Sequence, residues 1–478
     1  MKGNNKKMDI QNSCRPFGLR DKIGYLFGDL GNDFTFILSS SFLLKFYTDV
    51  MHVSAGIVGV VMMLARFVDA FTDVTMGRLC DRGRVTKNGK FKPWILRMAV
   101  PVAIASFLIY QSGFSDAPLG FRIGWLVVTY ILWGSVFYTS INIPYGSMAS
   151  SISAEPSQRQ SLSTFRSMGS TFAGVIVGAG IPILAYENKV IGGVEVAELN
   201  GSRFTLIAGI FSLLAIVSYL ICYYFTTERV LPETKKSEQK SVKALVKDAF
   251  TNRALISIIA ASVLMLLSQF TLQQMANYVY PDYYANTSAQ SASTFAMLIG
   301  MVISASLAKP LVGLFGKAEI SAVSSLIAAA VCLALFFLRP SSVWVYVFFN
   351  FFAWLGLGVF TMVSWAIITD VIDYSEIKNG VREDGSIYAL YSFARKLGQA
   401  AAAGLTGFLL SFIGYEKTAG APVTDAVKQG IFDISTILPA IGFILLALVL
   451  FFWYPLNKRR VNENVEYLKR KRESSANS

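Results

Sequence analysis

Residues 56–84 read GIVGVVMMLARFVDAFTDVTMGRLCDRGR. The first ten residues are apolar enough to sit in a bilayer, yet Arg66, Asp69 and Asp73 follow in the same run and a second charged cluster closes it. A charged side chain at mid-membrane costs about 2.5–3.5 kcal/mol on insertion scales. Three on one helix predict a counter-charge, a polar cavity or a bound ion. Asp69 and Asp73 are four apart, so on a helix their carboxylates share one face, about a turn from each other.

The rest of the chain sets that helix in a membrane. Of 478 residues 54% are hydrophobic and only 15% are charged, with 36 Phe. Soluble domains average about 25% charged residues. Apolar runs recur at 23–48, 54–80, 93–112, 123–151, 161–184, 202–225, 254–279, 293–315, 320–338, 343–369, 386–412 and 430–454. Most approach the ~20 residues that span a bilayer, and each is predicted to be a helix, because a lone strand leaves its backbone unsatisfied in lipid. No cleaved leader is expected in MKGNNKKMDIQNSCRPFGLRDK, which lacks an apolar centre.

Twelve runs predict an all-α membrane protein with an even number of crossings. Lys and Arg crowd alternate connections, whereas the opposite set holds only Arg122, Lys189, Arg203, Arg339, Lys417 and Lys428. The positive-inside rule then puts both termini in the cytoplasm. The net charge of +13 reads as topology, not as a nucleic-acid surface. TTERVLPETKKSEQKSVKALVKD (226–248) divides the chain near its middle. The expected organisation is a cytoplasmic N-terminus (1–22), a six-helix bundle (23–225), a cytoplasmic linker (226–253), a second bundle (254–454) and a cytoplasmic tail (455–478). Two six-helix halves are the layout of major facilitator transporters. No repeat between the halves is evident at residue level.

Enzymatic chemistry is disfavoured. Cys14, Cys80, Cys222 and Cys332 are scattered without metal spacing, and His52 is the only histidine. Polar groups inside the apolar runs are the functional candidates. GYLFGDLGNDF (24–34) places Asp29 and Asp33 at i, i+4 between glycines; Asp33 is the deeper and suits a sugar diol, while Asp29 is open between a structural and a site role. Arg166 in STFRSMGST presents a planar fork of donors. YTSINIPYGSM (138–148) offers Tyr138, Thr139, Asn142 and Tyr145, and YSFARKLGQA (391–400) sets Arg395 beside Lys396, of which only one can face a given cavity.

These segments carry a resemblance. Gly77, Asp81, Arg82 and Arg84 fit the major facilitator loop signature after helix 2. The runs ARFVDAFTDVTMGRLCDRGRVTKNGKFKPWIL, GYLFGDLGNDF, YTSINIPYGSM and ITDVIDYSEIKNGVREDGSIYALYSFARKLGQA resemble the glycoside–pentoside–hexuronide:cation symporters along essentially the whole chain. NIPYG and RKLGQA are closer to the glucuronide and xyloside branch than to the melibiose branch.

The resemblance implies a cation site at Asp69, Thr72, Asp73 and Thr139. It implies a sugar site at Asp33 and Arg166, with Asn142, Gly146, Tyr391 and Ser392 beside them. Lys396 matches the lysine that links the helix 2 carboxylates to helix 11, and is expected to neutralise them when the cation is absent. Asp81, Arg82, Arg84, Asp370, Asp373 and Glu376, at the cytoplasmic ends, are assigned to gating. Thr72, Asn142, Gly146 and Thr361 depart from the melibiose branch, which leaves the cation open and implies a different or roomier sugar pocket. The expectation is a monomeric symporter of the inner or plasma membrane that imports a glucuronide-, xyloside- or galactoside-like glycoside or small oligosaccharide with H⁺ or Na⁺. Apart from that coupling ion no cofactor is expected, and no metal beyond possible Na⁺ at Asp69 and Asp73; the partners are the sugar, the cation and the lipid bilayer, not nucleic acid. Two other classes stay open: a lysolipid or drug carrier on the same scaffold, and a non-transporting sugar sensor, for which the tail is short.

Overall fold

The computed structural model describes residues 15–83, 85–86, 88–191, 194–230, 252–379, 384–416 and 423–476. Helices α1 (Leu19–Asp49), α2 (Ala55–Arg82), α3 (Lys92–Ile109), α4 (Leu119–Ile152), α5 (Pro156–Leu184) and α6 (Gly201–Phe225) form one compact unit, with a hairpin of β1 (Tyr186–Ile191) and β2 (Val194–Leu199) between α5 and α6. A second unit holds α7 (Arg253–Tyr283), α8 (Thr287–Phe315), α9 (Lys317–Leu338), α10 (Val343–Asn379), α11 (Asp384–Phe412), α12 (Asp425–Trp453) and the polar helix α13 (Lys458–Ala476).

Ten of these helices, among the described residues, are long and apolar enough to cross a membrane. Besides the polar tail helix α13, the two long helices outside that set are α1, which carries Asp29, Asn32 and Asp33, and α11, which carries Arg395, Lys396 and Gln399. Polar load, not shortness, sets them apart, and both hold predicted site residues. On the outer surface the pattern inverts: Phe71 is 73% exposed and Phe337 77%. Apolar side chains turned outward suit lipid, where an aqueous surface would strand them.

The repeat that the sequence hides is present in the packing. In the first unit α1 packs on α5 and α6, α2 on α4, and α3 on α4 and α6. In the second, α7 packs on α11 and α12, α8 on α10, and α9 on α10 and α12. Each pairing recurs six helices later, although the side chains differ.

Small residues let α1 sit at the centre of its unit. A Cβ on Gly169 of α5 would lie 2.4 Å from the Leu26 carbonyl oxygen, and one on Gly28 2.3 Å from the Tyr145 ring. Close backbone approach of this kind drives helix association where lipid removes the hydrophobic incentive. At the end of α6 the chain is held by charge. Arg229 and Arg15 both pair with fully buried Asp21 at 2.9 Å. The Glu228 carboxylate accepts from the backbone N–H groups of Lys90, Phe91 and Lys92 at 2.8–2.9 Å. This satisfies donors at the start of α3 that have no intrahelical partner.

Because the Gly169 contact is with backbone, it cannot be relieved by a rotamer change. Gly169→Ala is expected to lower stability by about 1–3 kcal/mol, the usual cost of overpacking. Thermal unfolding of the purified protein in detergent, with Gly180→Ala as the open-space control, checks it.

Candidate substrate and cation sites

Two polar clusters lie within the first unit, both built against α1 and α4. The first starts from Arg166 on α5. Its Nε donates to Asp29 Oδ1 at 2.9 Å, and its guanidinium lies 5.3 Å from the Tyr145 ring centroid. Tyr145 stacks on Tyr25 at 4.6 Å, and its hydroxyl donates to the Tyr25 carbonyl at 2.6 Å. The ion pair is lopsided: the Arg166 side chain is 41% exposed and that of Asp29 only 8%. Asp29 anchors one edge of the guanidinium, the Tyr25 hydroxyl also meets it, and part of the side chain stays accessible. Gly146 leaves room on that side, since a Cβ there would stand 3.9 Å from Arg166 Nη1. Asp33, one turn further along α1, is part-buried beside Ser170 of α5 and makes no ion pair among the described residues. Asn142 accepts from Asn32 Nδ2 at 3.4 Å, and Asn32 in turn accepts from Tyr219 at 3.0 Å.

The second cluster surrounds the α2 carboxylates. Arg66 Nη1 meets Asp69 Oδ2 at 3.1 Å, with both side chains nearly buried, and its guanidinium sits 5.2 Å from the Phe36 ring centroid. Ser135 donates to Asp69 Oδ1 at 2.5 Å, and Thr139 donates to Asp73 Oδ1 at 2.9 Å. The Thr72 hydroxyl turns back to the Asp69 carbonyl at 3.1 Å. A π-helical stretch, Leu132–Tyr138, interrupts α4 at this point. It brings Gly134 against Asp69, where a Cβ would lie 3.4 Å from Oδ1, and leaves Ser135 and Thr139 on one face toward the two acids. Such bulges often mark functional sites.

The expected residues fall into three groups. Asp33, Asn142, Gly146 and Arg166 gather in the first cluster, and Asp69, Asp73 and Thr139 in the second. The Thr72 hydroxyl is spent on its own helix, and the counter-charge on Asp69 is Arg66 of the same helix. Asp29, open between two roles in the sequence, is the partner of Arg166. In the second unit Tyr391 is fully buried and its hydroxyl accepts from Ser262 at 2.9 Å, so it packs inside its own unit; the neighbouring Ser392 is exposed. Arg395 lies over the Trp365 and Tyr391 rings at 5.5 and 5.9 Å, and Lys396 is part-buried. Asp370 pairs with Lys317 at 2.6 Å, and Asp373 and Glu376 follow on α10. Arg84 and the side chains of Asp81 and Arg82 lie outside the described residues. Ser135, Tyr25 and Ser170 escaped the sequence reading; a lone Ser or Tyr in an apolar run carries no charge signal, and the π-bulge that aims Ser135 has no evident sequence mark.

Residues 24–458 match the family of MFS/sugar transport proteins. The chain belongs to that family, and within it to the glycoside–pentoside–hexuronide type. It is 30% identical to a glucuronide carrier protein homolog of Escherichia coli (strain K12), over 93% of this chain and 94% of that protein. An uncharacterized symporter, YjmB, of Bacillus subtilis (strain 168) is 28% identical over 98% of each chain. A putative sulfoquinovose importer of Escherichia coli (strain K12) is 29% identical over 92% of each. Among solved structures, a bacterial homolog of the lysosomal transporter Spinster superposes with a TM-score of 0.66 at 13% identity, covering 96% of this chain and 98% of that one. A D-xylose-proton symporter gives 0.61 at 14%, covering 91% and 97%. At such identities the structures establish the major facilitator fold alone. This family member is a multi-pass inner-membrane symporter for a sugar or glycoside, not an enzyme.

Truncating Arg66 would leave the nearly buried Asp69 carboxylate without its cation. Breaking a buried pair from one side typically costs about 3–5 kcal/mol. Arg66→Ala is therefore expected to destabilise the unit strongly, and Arg66→Ala with Asp69→Asn to recover much of the loss. Thermal unfolding of the two single variants and the double variant measures that coupling.

Proposed function

We propose that this symporter imports a neutral or acidic glycoside, or a small oligosaccharide, together with a proton, through a carrier of twelve crossings with both termini in the cytoplasm. The observation that supports it is the adjacency within one unit of two clusters with different chemistry. In the first, Arg166 offers donors and Asp33 offers acceptors, which is the complement of a sugar diol, while the Tyr25–Tyr145 stack braces the guanidinium. In the second, two carboxylates are held by hydroxyls and one guanidinium. Arg66 and Ser135 already occupy Asp69, and Thr72 turns its hydroxyl to the backbone. That arrangement favours a proton on the α2 pair over a Na⁺, which needs several oxygens free to converge. The α1 and α11 helices, too polar to pass as ordinary spans, serve as the eleventh and twelfth crossings, with their polar groups turned from lipid.

Coupling follows from linkage. Protonation of the α2 pair favours the arrangement in which Asp33 and Arg166 bind sugar, and each ligand raises the affinity of the other by the same factor. We assign coupling to Lys396 on α11 and gating to Asp370, Asp373 and Glu376 on α10.

Counterflow in proteoliposomes with a panel of radiolabelled glycosides identifies the substrate and tests this reading. With that substrate, Asp33→Asn is expected to raise the dissociation constant at least tenfold, about 1.4 kcal/mol. Wild-type affinity in that variant would remove Asp33 from the sugar site.

A further inference from the structure

The first cluster contains more negative than positive charge. Arg166 is its one guanidinium, and Asp29 already holds that group through Nε at 2.9 Å. Asp33 adds a second carboxylate that makes no ion pair among the described residues. The remaining neighbours on α4, α5 and α6 are neutral: Asn142, Tyr145, Ser170 and Tyr219. This face of the first unit therefore bears a net negative charge when both acids are ionised.

We propose that the pocket selects neutral glycosides over uronic and sulfonated sugars, and that Asp33 is the residue that excludes the anion. The inference rests on the sugar-site reading above and specifies its substrate class. Two physical facts carry it. An ionised carboxylate only accepts hydrogen bonds, so Asp33 is satisfied by a sugar hydroxyl, which donates, and not by a substrate carboxylate or sulfonate. The accessible edge of Arg166 would attract such an anion, but Asp29 already neutralises the guanidinium, and Asp33 repels the anion at short range in a poorly screened site. A neutral ring avoids both conflicts: one hydroxyl donates to Asp33 and another accepts from Arg166. Two of the relatives are named for acidic sugars, a glucuronide carrier protein homolog and a putative sulfoquinovose importer; the second acid of this cluster disfavours such a cargo here.

The test is a matched pair that differs only at C6: methyl β-D-glucoside against methyl β-D-glucuronide, and methyl β-D-galactoside against methyl β-D-galacturonide. Binding to the purified full-length protein is measured by calorimetry at about pH 8.5, with both acids ionised. The neutral member of at least one pair is expected to bind at least about tenfold more tightly than its uronide. In Asp33→Asn that ratio is expected to fall at least about tenfold, by weaker binding of the glycoside, tighter binding of the uronide, or both. A wild-type protein that binds the uronide as well as the glycoside overturns the inference and leaves the sugar-carrier reading standing. If neither member of either pair binds, the inference fails; the sugar-site reading falls only if the counterflow panel also finds no glycoside substrate. If Asp33→Asn does not fold, the wild-type ratio alone decides.

Discussion

A carboxylate inside a membrane-spanning helix must be balanced, and the first unit is organised around that requirement. Asp29, Asp33, Asp69 and Asp73 lie on only two of its helices; three of them meet a guanidinium or a hydroxyl, while Asp33 has Ser170 beside it and no ion pair among the described residues. Arg166 on α5 reaches Asp29, Arg66 reaches Asp69 along α2, and the π-bulge of α4 turns Ser135 and Thr139 toward the α2 pair. The glycines follow from the same constraint. Gly28 and Gly169 let α1 approach α4 and α5 closely, on the side where Arg166 meets Asp29. Without that approach, the charges would face lipid at several kcal/mol each.

The two ion pairs divide the labour. Arg66–Asp69 is almost closed to solvent, and Asp69 has its second oxygen on Ser135; it behaves as a fixed element of the wall. Arg166–Asp29 is half open, with the acid buried and the guanidinium accessible. A guanidinium held along one edge keeps its orientation without losing its other donors, which is a suitable posture for recognising a ligand of many hydroxyls. Asp33 stands one turn away with acceptor capacity only. In the proposed site Asp29 orients the guanidinium and Asp33 selects the ligand, although the two differ in sequence only by position within one i, i+4 pair.

Much of this was legible in the sequence, for a specific reason: charges in apolar runs are rare and stand out. The described apolar runs form helices, and Asp33, Arg166, Asp69 and Asp73 stand out because each is a charge in apolar surroundings, whereas the cation-site role of Thr139 is implied by the family resemblance. Relations between helices were not legible. Nothing in YSFARKLGQA marks Tyr391 as buried against Ser262. Asp29 needed the position of Arg166 before its role could be read. The π-bulge at Leu132–Tyr138 changes which residues of α4 face α2, and periodicity alone puts Ser135 on no particular side. The repeat between halves is evident only as a pattern of helix pairing, because packing constrains volumes and contacts while the polar residues of the two units differ.

The central claim is that sugar binding in the α1–α5 cluster is linked to protonation of the α2 carboxylates. It is tested most directly by adding the glycoside identified in counterflow to lightly buffered proteoliposomes at zero membrane potential, without Na⁺, and recording external pH. Sugar entry should be accompanied by alkalinisation outside, lost in Asp73→Asn while sugar-only exchange persists. Sugar entry that requires Na⁺ and leaves external pH unchanged would contradict the account.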